Sequence, residues 1–313
     1  MAGNSNFDAI LSTTLANYQP QLVDNIFTAT VLLDHLNSRG RVVTEEGGTS
    51  IVEPLLYAAN DTVGSYSGYD TIDLTPQEGI SAAQYNWKQM AVSIAISGIE
   101  EAKNRGTEAI IKLLNAKIMQ AEMSIKESLN DMLYASTVGN GGKDFQGLGL
   151  IIDATGTVGG IDPASNAWWA SYEENTSTAL TQAQMATAYN TASRGNDVPD
   201  MIVTTQVLFS KYESLLTANV RYQDVTKANL GFQNLMFKQT PVVFDVSCPT
   251  GNMFFMNSKY LKLVGMNGHW FNTSEFQKGT VAGVDARYAL IMAFGELVCS
   301  NRARQAKLTA KTA

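Results

Sequence analysis

Two stretches of β character, separated by a long run of turn residues, constrain this chain more than anything else in it. Residues 39–57 carry Val42-Val43, Ile51-Val52 and Leu55-Leu56, interrupted by Gly47-Gly48. Residues 58–80 hold turn chemistry at Asn60-Asp61, Gly64-Ser65, Ser67-Gly68, Pro76 and Gly79. Residues 85–96 then alternate, with Asn86, Lys88, Met90, Val92, Ile94 and Ile96 on one face and Tyr85, Trp87, Gln89, Ala91, Ser93 and Ala95 on the other. The pattern predicts a large hairpin whose arms extend about 40–55 Å, at about 3.3 Å per residue. A two-stranded hairpin is marginal alone in water, so it needs a partner surface, on its own body or on another subunit.

Composition bears on which of the two it is. Only 16% of the 313 residues are charged, against roughly 25% in an ordinary soluble domain. Asn, Gln, Ser, Thr and Gly take much of that place. Two readings stay open: a surface largely covered by neighbours, or an acidic enzyme with a neutral polar surface. The chain is 45% hydrophobic, which supports a substantial core in about two domains and excludes a disordered chain, a fibrous repeat or a disulfide miniprotein. A net charge of −7 does not suit bulk electrostatic binding of phosphate. Cys248 and Cys299 form no CxxC pair and read as buried thiols in a reducing compartment. The start, Met1-Ala2-Gly3-Asn4-Ser5, lacks a basic region followed by an apolar run, and no stretch is long enough to span a bilayer. The expected place of synthesis and residence is a cytosol.

The first segment, to Ser38, has apolar anchors at Ile10-Leu11, Leu15, Leu22-Val23, Ile26-Phe27 and Leu32-Leu33, broken at Pro20. It reads equally as an arm packed on another subunit or as a helix pair docked on its own domain. Ser97-Gly98-Ile99-Glu100 fits a capping box. A long helix over residues 107–134 follows, with the stripe Ile110, Leu113-Leu114, Ile118, Ala121, Ile125, Leu129 and Met132-Leu133. The acid-first pairs Glu108/Lys112 and Glu122/Lys126 support it, and the Gly139-Asn140-Gly141-Gly142 cluster is expected to end it. Residues 145–254 alternate: strand 148–152, helix 181–193, strand 200–204, helix 207–218 and strand 241–246, a mixed α/β unit. The remainder is β-rich, at 253–256, 260–264, 268–271 and 286–299. A tail with Arg302, Arg304, Lys307 and Lys311 reads either as a nucleic-acid contact or as a solvated end.

Chemistry-bearing motifs fail one by one. His35 and His269 are the only histidines, and neither accompanies a G-x-S-x-G elbow; His269, beside Trp270, reads as structural. Gly142-Lys143 is followed by Asp144, so the phosphate-loop pattern fails. Gly147-Leu148-Gly149 meets Ile152 where a dinucleotide fingerprint needs glycine. HExxH and the EF-hand loop are absent. Glu45-Glu46, Glu100-Glu101 and Glu173-Glu174 read as solvated faces, and Trp168-Trp169 as a core or interface anchor. No catalytic, cofactor-binding or metal-ligating residue is assigned.

The succession of pieces resembles the major capsid proteins of tailed bacteriophages, with the Hong Kong 97-type shell fold. The resemblance is carried by residues 40–54 (GRVVTEEGGTSIVEP), 92–101 (VSIAISGIEE), the long helix with its glycine cluster and Gly147-Leu148-Gly149-Leu150-Ile151, 235–245 (LMFKQTPVVFD), 248–252 (CPTGN), 257–261 (NSKYL) and 285–291 (DARYALI). It implies an α+β fold with an N-terminal arm (1–38), an extended β-hairpin loop (39–97), a peripheral domain with a long spine helix (98–140), an axial α/β domain (141–252), and peripheral C-terminal strands and tail (253–313). It implies a structural protein, not an enzyme: a subunit that assembles with itself into pentamers and hexamers of an icosahedral phage head enclosing double-stranded DNA, without sequence-specific binding. The implied partners are further copies of itself, a separate scaffolding protein and a portal protein, with a decoration protein as an optional addition, and neither membrane nor cofactor. The implied location is the virion, with assembly in the host cytoplasm. Some members of the family join a loop lysine covalently to a neighbour's asparagine. Between Gly40 and Trp87 there is no lysine, so no self-catalysed cross-link is expected. Some begin with a long scaffolding segment, whereas here the arm begins almost at Met1. The rival readings are a nanocompartment (encapsulin-like) shell of the same fold and, in another class, a soluble α/β enzyme with a long hairpin.

Overall fold

The computed structural model describes residues 30–103, 107–216, 235–278 and 285–313. Most of the expected N-terminal arm, and the pair Glu108/Lys112, therefore lie outside the described residues or side chains. The chain enters at helix α1 (Val31–Ser38) and continues through strands β1 (Val42–Glu45), β2 (Ile51–Leu56), β3 (Ile80–Tyr85) and β4 (Lys88–Ser97). Helices α2 (Gly98–Lys103) and α3 (Thr107–Tyr134), the single turn α4 (Leu148–Ile151), β5 (Tyr172–Asn175), α5 (Gln182–Ala192), β6 (Met201–Thr204) and α6 (Gln206–Leu215) follow. Then come β7 (Leu235–Phe237), β8 (Thr240–Phe244), β9 (Met253–Met256), β10 (Leu261–Met266), β11 (Asn272–Thr273), β12 (Gln277–Lys278), β13 (Ala286–Cys299) and β14 (Ala306–Thr309).

Two six-stranded sheets and a separate hairpin organise these elements. β13 is the axis of the first sheet. β4 runs antiparallel along it, from Ser97 opposite Ala286 to Lys88 opposite Gly295. On the other side β12, β11 and β10 pair with it in succession, and β1 adds to β10 in parallel. The second sheet has the order β5-β14-β9-β6-β8-β7. Its central strands, MIVT of β6 and MFFM of β9, are buried at every position. One face, with Ile202, Phe255 and Val242, packs under α5 and α6; the other, with Met201, Val203, Phe254 and Met256, joins the core of the first sheet. A strand covered on both faces reads as an unbroken apolar run, not an alternating one.

Helix α3 occupies the residues its periodicity predicts. Leu114, Ile118, Ala121, Ile125, Leu129 and Leu133 are buried, spaced by three or four so that they form one stripe, and the helix packs on β4. The predicted capping box opens α2, just upstream: Ser97 Oγ accepts from the Glu100 N–H at 3.4 Å, and Glu100 Oε2 accepts from the Ser97 N–H at 3.0 Å. At the far end of α3, Asn130 Nδ2 and Tyr134 Oη donate to the buried carboxylate of Asp245, at 2.9 and 3.2 Å, fastening the helix to the end of β8. Burial, reinforced by Asp245, pushes the Tyr134 phenol well above its ordinary range.

Several sequence expectations change. Residues 85–96 are not one strand. Tyr85 ends β3 and is buried, Lys88 begins β4, and the buried residues of β4 are Ile94 and Ile96. Burial thus moves from odd to even positions, which a continuous period-two strand forbids. The hairpin proper is β2 against β3, six residues a side from Ile51↔Tyr85 to Leu56↔Ile80; at about 3.3 Å per residue its paired part is about 20 Å long. Helix α3 stops at Tyr134, before the glycine cluster, which forms a separate turn with Asn140 and Gly141 at positive φ.

Leu148–Ile151 is a helical turn rather than a strand. Gly147 lets it tuck under the end of α3: a Cβ there would stand about 2.5 Å from the carbonyl oxygens of Ala135 and Met132. Residues 268–271 form a turn, not a strand, that lays the Trp270 ring over Gly265 and Gly295, where any side chain would collide with it.

The C-terminal block also divides between the sheets. β10 to β13 belong to the first, whereas β9 and β14 lie inside the second. The basic tail is neither solvated nor free. Arg302 is fully buried, its guanidinium donating to the carbonyls of Ile151, Gly156 and Asp153 at 2.7–2.9 Å beneath the Trp169 ring. Lys307 donates to the Gly149 carbonyl at 2.9 Å and pairs with Glu173 at 3.2 Å. Lys311 pairs with Glu174 at 2.7 Å. Glu173 and Glu174 are therefore internal counter-ions rather than a solvated face, as buried lysines require.

Candidate functional site

The groups that catalysis would recruit are committed to the fold. Asp200 accepts from the Ser258 hydroxyl and lies 3.3 Å from His35 Nε2. The carboxylate thus stands between serine and histidine, whereas a serine nucleophile needs the histidine between the other two. Burial opposes the charge of Asp200, but hydrogen bonds from His35 and Ser258 outweigh it and hold the carboxyl below its usual range. The three residues bracket the end of α1 against β6 and the turn at 257–260. His269 stacks on Phe294, with ring centroids 5.2 Å apart.

Trp169 is buried and donates to the Val158 carbonyl at 3.0 Å, while Trp168 stacks on Tyr57 at 4.8 Å. Both cysteines are buried and free. Burial raises the Cys299 thiol to about 12 and the Cys248 thiol further, which keeps both unreactive. Among the described residues no group of three or more His, Cys, Asp or Glu is placed to hold a metal ion, and no helix is long and apolar enough to cross a membrane.

The unusual surface is the hairpin. Its inner face is anchored on the body. The Tyr85 hydroxyl donates to the Cys299 carbonyl at 2.8 Å, Gln84 N–H donates to the Gly159 carbonyl at 2.9 Å, and buried Glu53 pairs with Lys262 at 2.7 Å. Its outer face is apolar and bare. Leu56 and Ile80 face each other across the strands, 81% and 79% exposed, beside Val52. The connection from 57 to 79 adds exposed Val63, Tyr66, Tyr69, Ile72 and Leu74. Eight of the fifteen exposed large hydrophobic residues of the described chain thus fall between residues 52 and 80. Scattered apolar residues on a surface mean little, but such a concentration marks an interaction surface. A second, smaller group consists of Met119 and Met123 on α3 and Val246 after β8.

The same segment carries the charge. Residues 42–87 contain Glu45, Glu46, Glu53, Asp61, Asp70, Asp73 and Glu78 and neither lysine nor arginine. These seven carboxylates equal the whole net charge of −7, so the rest of the chain is balanced. The missing lysine is legible in the sequence, and the unbalanced acid is legible in the same stretch. Which residues of the hairpin face outward is not, because that depends on the break at Asn86.

This architecture has known counterparts, though the sequence matches no protein-family model and no curated protein. It superposes on a chain of the cyanophage A-1(L) capsid asymmetric unit with a TM-score of 0.66 at 19% identity, covering 87% of this chain and 91% of that one. The chain has the fold of a tailed-phage capsid protein. A chain from the capsid of a native GTA particle gives a TM-score of 0.57 at 11% identity, over 88% and 89% of the two chains. One from the satellite phage P4 procapsid, which includes a size-determination protein, gives 0.51 at 14% identity, over 94% and 90%. Coverage near nine-tenths on both sides means that the likeness spans most of each chain. It is the Hong Kong 97-type fold that the ordered sequence pieces implied.

Proposed function

We propose that this chain is the repeated structural subunit of an icosahedral phage head, assembling with itself into pentamers and hexamers around double-stranded DNA. The observation that carries the reading is the hairpin: a bare apolar strand pair and loop that a solitary protein would leave against water. In this reading the first sheet with α3 is the peripheral domain. The second sheet with α5 and α6 is the axial domain, gathering around the symmetry axes. The hairpin and the N-terminal residues clasp neighbours. Many modest contacts, each subunit meeting several others, hold the shell. The protein performs no catalysis. A separate scaffolding protein, as the size-determination protein of the satellite phage P4 procapsid suggests, and a portal complete the assembly. The particle belongs to the virion and forms in the host cytoplasm.

Electron microscopy of the purified full-length chain, alone and with its candidate scaffold, tests this. Closed shells or capsomer rings are the expected result. Shells filled with a cargo enzyme and no DNA would favour the nanocompartment alternative. A chain that stays monomeric at high concentration with its scaffold would overturn the shell reading.

A further inference from the structure

The hairpin loop carries unpaired acid, and an unsatisfied basic cleft lies elsewhere on the same molecule. Asp61, Asp70, Asp73 and Glu78 are exposed, and none is ion-paired among the described residues. Asp70 and Asp73 accept hydrogen bonds only from the local loop, at Ser67 and Thr75. Tyr66 and Tyr69 stand exposed between Asp61 and Asp70.

The cleft, of about 340 Å³, is lined by Arg39, Arg41, Asn196, Asp197, Asp200 and Lys259. Its carboxylates are already engaged: Asp197 by Lys259 and the Tyr260 hydroxyl, each at 2.8 Å, and Asp200 by Ser258 and His35. Arg39 reaches Asp200 only at 3.9 Å and is half exposed, and the Arg41 side chain has no partner among the described residues. Two guanidinium groups are therefore left facing the opening, with Val198 as an apolar patch beside them.

We infer that this cleft receives the acidic 57–79 loop of a second copy of the chain, with Arg39 and Arg41 pairing to its carboxylates. Guanidinium groups suit both parts of that loop, because they bind carboxylates in a fork and stack on tyrosine faces. Loop and cleft are different patches, so the contact is head-to-tail, the kind that closes into rings. Charge complementarity at such a rim sets register and rejects wrong pairings. The inference rests on the shell reading and adds which surface of the neighbour the loop meets.

The test is charge reversal in the full-length chain, under the conditions in which the parent forms particles. D70K/D73K and, separately, R39E/R41E are each expected to lower particle yield at least about tenfold, because like charges then face each other. Circular dichroism and melting of the subunit should stay like the parent. A chain carrying all four reversals, with a basic loop and an acidic cleft, is expected to recover particles. D70K/D73K changes only the exposed loop, so it reads the contact even if R39E/R41E disturbs the α1–β1 turn. Reversed variants that assemble like the parent would overturn the contact and leave the shell reading standing. So would a loop reversal rescued by an accessory protein but not by the cleft reversal. A parent that never forms particles would overturn both.

Discussion

At the scale of the residue, Glu296 is the group whose environment most departs from water. It lies on β13 opposite Val264 of β10, fully buried. Its Oε1 accepts from the N–H groups of Gln146 and Leu297 at 2.7 and 3.0 Å. Among the described residues its Oε2 has no hydrogen-bond partner, nor has Oε1 of Gln146. Lys88 is the cation whose field reaches it, and that ammonium is engaged by the Gly142 carbonyl. Burial therefore dominates and raises the carboxyl from 4.5 to about 8. Between those values the unfolded chain has lost the proton that the folded chain keeps. The unfolded state binds fewer protons there, so stability falls as pH rises through that window and levels off above it. Glu296→Gln removes this titration and supplies a donor on the bare side. Thermal melts from pH 5 to 8.5 are expected to show the variant gaining on the parent as pH rises, with a flatter profile. A parallel pair of curves would refute the assignment. Nothing in the sequence around Glu296 distinguishes it from a surface acid. Its position on an even step of β13, between Gly295 and Leu297, gains meaning only once Val264 and the 143–147 loop cover it. The same holds for Arg302, Lys307 and Lys311: a basic tail by composition, but internal cations once Glu173, Glu174 and several backbone carbonyls are brought to them.

At the scale of the element, local patterns predict local structure well and partner choice poorly. Helix α3 is legible to the residue, because its stripe is local, and so is the start of α2, where Ser97 and Glu100 form a capping box. So are Thr181 with Gln184 at the start of α5, where both halves of a second capping box form. The hairpin is legible as a kind but not in extent. The alternation read over residues 85–96 runs straight through the break at Asn86, and only tertiary packing decides that β3 turns back on β2 while β4 joins β13. That division exposes Leu56 and Ile80, which leads to a prediction at this scale. L56S/I80S removes apolar surface that the isolated subunit leaves in water, so its melting should stay within about 0.5 kcal/mol of the parent. Particle formation should drop sharply, because the proposed shell buries the same surface between copies. Y85F provides the contrast. It deletes the hydroxyl that bridges the Cys299 carbonyl and N–H, and is expected to cost the subunit about 1–3 kcal/mol. A double serine variant that assembled normally would remove the hairpin face from the interface.

At the scale of the whole molecule, the fold and the charge pattern together say how a particle of this chain must be held. The body is electrically balanced, and four of its cations are turned inward, onto carbonyls at Arg302 and Lys307 and onto glutamates at Lys262 and Lys311. The hairpin and its loop carry acid and apolar side chains but no amine, since no lysine lies between Gly40 and Trp87. Lys88, the first after that gap, sits on β4 within the first sheet, with its ammonium on the Gly142 carbonyl. It is therefore not displayed at the hairpin, where an isopeptide bond to a neighbour's asparagine would need an amine. In the proposed shell, contacts between copies in this region are therefore noncovalent, and such contacts yield to detergent and heat. Mature particles boiled in detergent and reductant are expected to run as a single band at 33.9 kDa, and the intact shells should lose cohesion as salt screens the acidic loop. A ladder of covalent multimers would show that another lysine, outside the hairpin, reaches a neighbour. The loop contacts would then be only part of what closes the shell.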